Sequence, residues 1–149
     1  MSTKKGTETS IKALYGFKAG KKIARPLLGT RIPAGFPSPA TDYIEGTLDL
    51  NEHLIKHPSS TFFVRVEGFS MIKAGIFPDD ILIVDRSLEV TNDSIIIAVI
   101  NGELTVKRLR IENERYILLS ENEEFNPSHI DEESDFFVWG LVTYVIHKV

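Results

Sequence analysis

The chain has 149 residues, 42% of them hydrophobic, and a formal net charge of −4 at pH 7. That composition supports one ordinary domain with its own core plus a tail. The absence of cysteine excludes disulfides, a thiolate nucleophile and a cysteine-ligated zinc site. Because the sequence has neither a signal-peptide hydrophobic region nor an apolar run near the ~20 residues that span a bilayer, we expect a cytoplasmic protein.

The first 34 residues differ in composition from the rest of the chain. They hold 8 Lys or Arg and one Glu, a net charge of +7, whereas residues 35–149 hold 9 basic and 20 acidic residues, a net charge of −11. Their glycines, prolines and lysines predict a flexible N-terminal arm, with brief strand character at Ile11–Phe17. A basic arm could contact nucleic acid. The simpler interpretation is a solvated arm that lies on its own acidic body, because no pair of DNA-reading helices is evident.

The change in charge falls at a peptide bond between two small residues, Ala34 and Gly35. Pro33, Pro37 and Pro39 surround this bond and favour extended backbone. An extended chain is what a protease cleft binds. The sequence therefore predicts an arm of residues 1–34, a candidate cleavage site, and a body domain of residues 35–149.

Downstream of the arm, the pattern predicts one short helix and many short strands. The helix covers Asp49–Lys56, with Glu52 three residues after its cap and Pro58 beyond its end. The dipeptide Asn101-Gly102 indicates a two-residue hairpin. The predicted strands are Thr61–Val66, Ile81–Val84, Ser94–Ile100, Leu104–Leu109, Tyr116–Leu119 and Phe136–Ile146. This arrangement is typical of a mostly-β domain, either a sandwich or a partly open barrel.

Ser70 and Lys107 are the candidate catalytic residues, because of the sequence around each. Gly68 and Gly75 bracket Ser70 and would let the backbone turn sharply and approach a substrate closely. Lys107 interrupts an apolar strand, where burial disfavours the ammonium and leaves an amine that can accept a serine proton. In the alternative interpretation, Lys107 extends to a polar rim and Ser70 is a turn residue.

Two other constellations are weaker. His53 and His57 have the i, i+4 spacing of a helical metal pair, but no third ligand is evident. Ser128, His129 and Asp131 supply the residue types of a catalytic triad, yet neighbours in sequence do not make a triad in space. We therefore predict neither a metal site nor a cofactor.

Several separated motifs resemble the LexA/UmuD family of self-cleaving Ser-Lys (S24-type) peptidases, and its UmuD-like members most closely. The resemblance runs from about Ala34 to Val149. Its motifs are Gly35–Ala40, Asp49–Asn51, His57–Ser59, Gly68 with Ser70–Ile72, Asp80–Asp85, Thr105–Leu109 and Leu118–Pro127.

The resemblance implies roles for four residues. Ser70 matches the nucleophile and Lys107 the general base. Ala34 and Gly35 match the two sides of the bond that is cut. An Ala-Gly bond is the LexA form, whereas UmuD itself carries a cysteine before the glycine.

The resemblance also implies a fold, a pathway and partners. The fold is a LexA/UmuD-type C-terminal catalytic domain that forms a homodimer. A RecA filament on single-stranded DNA would promote the cut in the SOS response to DNA damage. The trimmed form would then act as an accessory subunit of a UmuC-type, Y-family translesion DNA polymerase, with no sequence-specific DNA binding and no membrane contact.

Three other functions remain as alternatives. A LexA-like repressor would need a DNA-binding domain, for which 34 residues are too few. A catalytically idle interaction subunit would be favoured by loss of Ser70 or Lys107, and both are present. A signal peptidase would need a membrane anchor.

Overall fold

The computed structural model describes residues 7–28 and 44–149, which fall into two compact units. The larger unit joins residues 7–17 to residues 59–149, and the smaller contains residues 18–28 and 44–58. The candidate cleavage bond between Ala34 and Gly35 lies outside the described residues.

Strands dominate the described residues. The strands are β1 (Ser10–Gly16), β2 (Ala24–Leu28), β3 (Ile44–Asp49), β4 (Thr61–Glu67), β5 (Ile81–Asp85), β6 (Ile95–Ile100), β7 (Glu103–Glu112), β8 (Arg115–Leu119), β9 (Ser128–His129) and β10 (Phe136–Ile146). One α-helix, α1 (Leu50–Leu54), and two 3₁₀ turns, Pro58–Ser60 and Ile72–Ala74, complete the described elements.

The larger unit is an antiparallel barrel. Its strands follow one another in the order β1, β4, β5, β10, β6 and β7, and β8 and β9 extend the sheet beyond β7. β1 pairs with β4 along its length, and Ser10 also pairs with Thr105 of β7, which closes the barrel. The predicted mostly-β domain is confirmed. The barrel is closed instead of partly open because the N-terminal arm itself supplies a strand.

The core follows the two-residue period of the strands. In β6, Ile97 packs with Val64, Val84 and Val106 inside the barrel, while its neighbours face the other way. Those neighbours, Ile96 and Ala98, pack with Leu109 and Leu118 in a second cluster. β6 is thus buried on both faces, which explains its uninterrupted apolar sequence.

The predicted strands and the hairpin are confirmed. Each predicted run coincides with a strand from β4 to β8 or with β10, and the arm strand is present as β1. Asn101 and Gly102 join β6 to β7 with φ values of 50° and 81°, as a two-residue turn requires. β2, β3 and the two-residue β9 were not predicted.

In the smaller unit, β2 pairs with β3, and α1 follows directly. Asp49 caps the helix as predicted, and its carboxylate accepts hydrogen bonds from the backbone N–H groups of Glu52 (3.2 Å) and Ile23 (2.7 Å). These bonds, that of Glu52 first, hold the pKa of Asp49 below its ordinary value. The helix ends at Leu54, two residues earlier than predicted.

Candidate active site

Ser70 lies in the turn between β4 and the 3₁₀ turn Ile72–Ala74, and it is fully buried at 0% exposure. Gly68 makes the turn possible, since its φ of +92° is in the left-handed region that favours glycine. Gly75 likewise has a positive φ, 80°, so both glycines that bracket Ser70 turn the chain as predicted. The Ser70 hydroxyl oxygen accepts a hydrogen bond from the backbone N–H of Thr9 at 2.8 Å.

Lys107 lies in β7 and is 3% exposed. Val106, just before it, and Leu109, two positions after it, are also buried. Its Nζ donates hydrogen bonds to Glu8 Oε1 at 2.8 Å and to Ser120 Oγ at 2.7 Å. The ring of Phe125 lies 6.0 Å from the same nitrogen. The ammonium group is therefore out of water but supplied with a carboxylate and a hydroxyl.

A loop after β8 holds the Ser70 turn beside this lysine. The Asn122 side-chain amide donates to the Phe69 carbonyl at 3.0 Å, and the Lys73 backbone N–H donates to the Glu121 carbonyl at 2.9 Å. The Lys73 side chain also donates to Glu123, and this hydrogen bond lowers the pKa of Glu123. Since Ser120 begins the same loop, one segment touches both the serine turn and the lysine.

The arm residues Thr7–Thr9 contact both the Ser70 turn and β7. The Thr7 carbonyl accepts from the Phe69 N–H at 2.7 Å, and the Thr9 carbonyl accepts from the Val106 N–H at 3.3 Å. A Cβ added to Gly68 would lie 2.1 Å from the carbonyl oxygen of Glu8. The site therefore binds an extended peptide backbone at very close range, and only glycine at position 68 leaves room for it.

The structure brings Ser70 and Lys107 into contact with the same tripeptide, although they are 37 positions apart in sequence. Ala34 and Gly35 lie outside the described residues, so the position of the predicted cleavage bond is not described. Sequence reasoning missed Glu8, Thr9 and Ser120. One signal was present for Glu8, which is the single acidic residue among the first 34.

The residues of the two weaker constellations are all exposed. His53 lies in α1, but His57 follows the end of that helix, so the two do not share a helical face. Ser128 and His129 form the exposed strand β9. Within residues 7–28 and 44–149, no group of three or more potential ligands could hold a metal ion. No helix in the same ranges is long and apolar enough to cross a membrane.

A buried hydroxyl and a buried primary amine that contact one bound segment of chain are the groups needed for acyl transfer. When neutral, a lysine amine can take the proton of a serine hydroxyl as the oxygen attacks a carbonyl carbon. A cleft that accepts an extended backbone would present that carbonyl. The arrangement fits peptide-bond hydrolysis.

Comparison with known proteins gives the family. The Peptidase S24-like family matches residues 26–143. Protein ImpA of Salmonella typhimurium is 44% identical over 125 residues, which cover 83% of this chain and 84% of that protein. Protein MucA of Escherichia coli is 43% identical over 120 residues, covering 80% and 82%.

A third relative matches a similar share of the chain. Protein SamA of Salmonella typhimurium strain LT2 is 46% identical over 123 residues, covering 83% of this chain and 85% of that protein. The family match includes the Ser70 turn, β7 and the loop after β8, which are the parts that build the site. The chain therefore belongs to the S24-like peptidase family, as a UmuD-like serine peptidase of SOS mutagenesis.

Proposed function

We propose that this protein cuts its own Ala34–Gly35 bond, with Ser70 as the nucleophile and Lys107 as the general base. The observation that carries the proposal is that a buried serine and a buried lysine both contact the same short segment of the chain, Ser70 at Thr9 and Lys107 at Glu8. Family membership supports self-cleavage as the reaction.

The reaction would run through an acyl-enzyme. Ser70 Oγ attacks the Ala34 carbonyl carbon while neutral Lys107 takes the hydroxyl proton. Backbone N–H groups near Ser70, its own among them, stabilise the oxyanion. Lys107 then gives the proton to the Gly35 nitrogen as the peptide bond breaks, and a water molecule hydrolyses the ester to free Ser70.

The UmuD-like relatives support the biological setting that we propose. We place the cut in the SOS response, stimulated by a RecA filament on single-stranded DNA. The trimmed chain, as a homodimer, then serves a UmuC-type translesion polymerase. Support for these partners comes from family membership and not from any contact in the described residues.

Replacement of the two proposed catalytic residues tests the reaction. Ser70→Ala and Lys107→Ala should each abolish the appearance of fragments that meet at Ala34 and Gly35, as read by intact mass after incubation at alkaline pH. Circular dichroism checks that each variant is folded. Cutting at the wild-type rate by either folded variant would show that the assignment is wrong. No cutting by the unaltered chain, with or without RecA filaments, would favour an idle interaction subunit.

A further inference from the structure

We propose that Thr7–Ser10 is a built-in inhibitor, a latch that occupies the cleft in place of the segment to be cut and must leave before cleavage. The inference rests on the proposed function. It differs from that function in assigning a role to a segment 24 or more residues before the cleavage bond, and in naming Glu8 as the residue that holds Lys107 inactive.

The latch blocks the nucleophile. Thr9 is buried, and its N–H lies 2.8 Å from Ser70 Oγ, so latch backbone occupies the space beside the hydroxyl. A carbonyl carbon has to come within about 3–3.5 Å of the attacking oxygen. With Ser70 at 0% exposure, the Ala34 carbonyl can take that position only after Thr9 has moved away.

The latch also opposes the action of the base. Lys107 donates to Glu8 Oε1 at 2.8 Å, and an ion pair of this kind requires the ammonium form. An ammonium group has three donors and no lone pair with which to accept the serine proton. Other charged side chains nearby, Arg108 and Glu121, are paired with each other. Glu8 is therefore the carboxylate that neutralises Lys107.

The latch binds as a substrate strand would. Its carbonyl groups accept from the N–H groups of Phe69 and Val106, and the Thr105 hydroxyl donates to the Thr9 carbonyl at 3.0 Å. Main-chain bonding to a strand edge is the usual way in which an extended peptide is recognised. A segment to be cut that bound to the same groups could do so only after the latch had left them.

Two features favour release of the latch. A bulge at Lys12 interrupts the pairing of β1 with β4, because Ile11 pairs with Val66 and Ala13 with Arg65. The segment before the bulge can therefore detach while the rest of β1 stays paired. In addition, Thr9 Oγ1 is buried with no hydrogen-bond partner among the described residues, which makes the closed state costly.

The test uses full-length chains in a charge series at position 8, namely the wild type, Glu8→Gln and Glu8→Lys. Glu112→Gln is the matched control, since Glu112 is exposed at the far end of β7. Because the Glu8 side chain is 56% exposed, we expect Glu8→Gln to speed self-cleavage by about twofold to fivefold. Glu8→Lys should be faster still, and the control should match the wild type.

Hydrogen exchange provides a second readout that does not depend on cleavage. A Gly35→Pro background keeps the chain intact, as checked by mass. The Thr9, Phe69 and Val106 amides should exchange faster in Glu8→Gln than in the parent, because all three donate within the latch contact.

Thr9→Val should act in the opposite direction. Removing the unpartnered hydroxyl tightens the latch, so cleavage should slow by about fivefold or more.

The outcomes separate the latch from the reaction itself. Faster cleavage and faster exchange along the Glu8 series, with slower cleavage in Thr9→Val, support the latch. Cleavage at equal rates throughout, or slower cleavage in Glu8→Gln, overturns the latch and leaves the proposed function standing. The absence of cleavage in every chain, with alkali or RecA filaments, overturns the proposed function and with it the inhibitory role of the latch.

Discussion

The charged side chain of Lys107 is almost wholly buried. Its stability in the fold therefore depends on its hydrogen-bond partners. Its Nζ reaches two oxygen acceptors, on Glu8 and Ser120. A buried ammonium that loses an acceptor is left with a donor that water cannot reach. Ser120 is the partner that the barrel itself supplies, since it begins the loop after β8.

We therefore expect Ser120→Ala to destabilise the fold by about 1–3 kcal/mol, the typical cost of leaving a buried donor unpaired. Urea unfolding of the Ser70→Ala chain with and without the change measures this difference and avoids interference from cleavage. Ser59→Ala, at an exposed position, is the control and should be neutral. An equal effect of both changes would mean that the hydrogen bond from Lys107 contributes nothing to stability.

Self-cleavage without a helper should accelerate as the pH rises from neutral. The base has to be uncharged, and alkali increases the neutral fraction of any lysine. Loss of the ammonium charge also ends the ion pair with Glu8. Initial rates from pH 7 upward, followed by gel and limited to the range where circular dichroism is unchanged, measure this dependence. A flat profile, or a maximum in acid, would argue against lysine as the base.

At the scale of residues, the sequence predicts Ser70 and Lys107 as the catalytic candidates but does not predict what surrounds them. Gly68, the serine and an interrupted apolar strand are local patterns. The partners are not local, since Glu8 lies 99 positions from Lys107 and Thr9 lies 61 from Ser70. Which arm residue meets which side of the cleft depends on the register of β1 on β4, and no short pattern encodes that register.

Among the elements, β10 depends on one glycine. The strand pairs with β5 and β6, and its register with β6 shifts between Val138 and Gly140. A Cβ at Gly140 would lie 2.6 Å from Val84 Cγ1, an atom of a fully buried side chain on β5. β10 and β5 can approach each other this closely only because residue 140 has no side chain.

Gly140→Ala should therefore destabilise the protein by about 1–3 kcal/mol through overpacking. Thermal unfolding in the Ser70→Ala background is a direct measurement. Gly46→Ala is the comparison, because a Cβ there meets no atom within 4 Å. If Gly140→Ala unfolds at the temperature of its parent, the contact with Val84 relaxes without cost and the close approach is unimportant.

Elements were predictable where a strong period was present. The runs that became β4, β6 and β10 carry many apolar residues with clear turn residues between them, and they were found nearly to the residue. β2 contains Pro26, and β3 contains Gly46, two residues that weaken a strand pattern. The two-residue β9 is too short to have a period. These three strands depend on pairing and not on their own sequences.

At the scale of the whole molecule, the arm and the body carry opposite charges. Residues 1–34 have a net charge of +7 and residues 35–149 a net charge of −11. Some of this attraction is visible in the ion pair between Lys12 and Asp79 at 3.0 Å. The arm is also part of the body's sheet through β1. Cleavage at Ala34–Gly35 would break a covalent bond without removing either kind of contact.

We expect the fragment of residues 1–34 to stay bound to residues 35–149 after the cut and to dissociate faster at high salt, which screens the charges. Native mass spectrometry on freshly cut protein, with the Ser70→Ala chain as the uncut control, would detect the pair. Size-exclusion chromatography at low and high salt would compare release. Immediate separation at low salt would contradict this expectation.

β1 has a further consequence, because it is the strand that closes the ring between β4 and β7. When the fragment departs, β7 loses the pairing of Thr105 with Ser10, and β4 loses the strand that pairs along its length, so a row of backbone donors and acceptors on β4 becomes unpaired. Such edges pair readily with an extended segment of another protein. Self-cleavage in this chain would then leave a gap in the barrel where β1 had been paired antiparallel to β4. A partner could fill that gap by supplying a strand of its own.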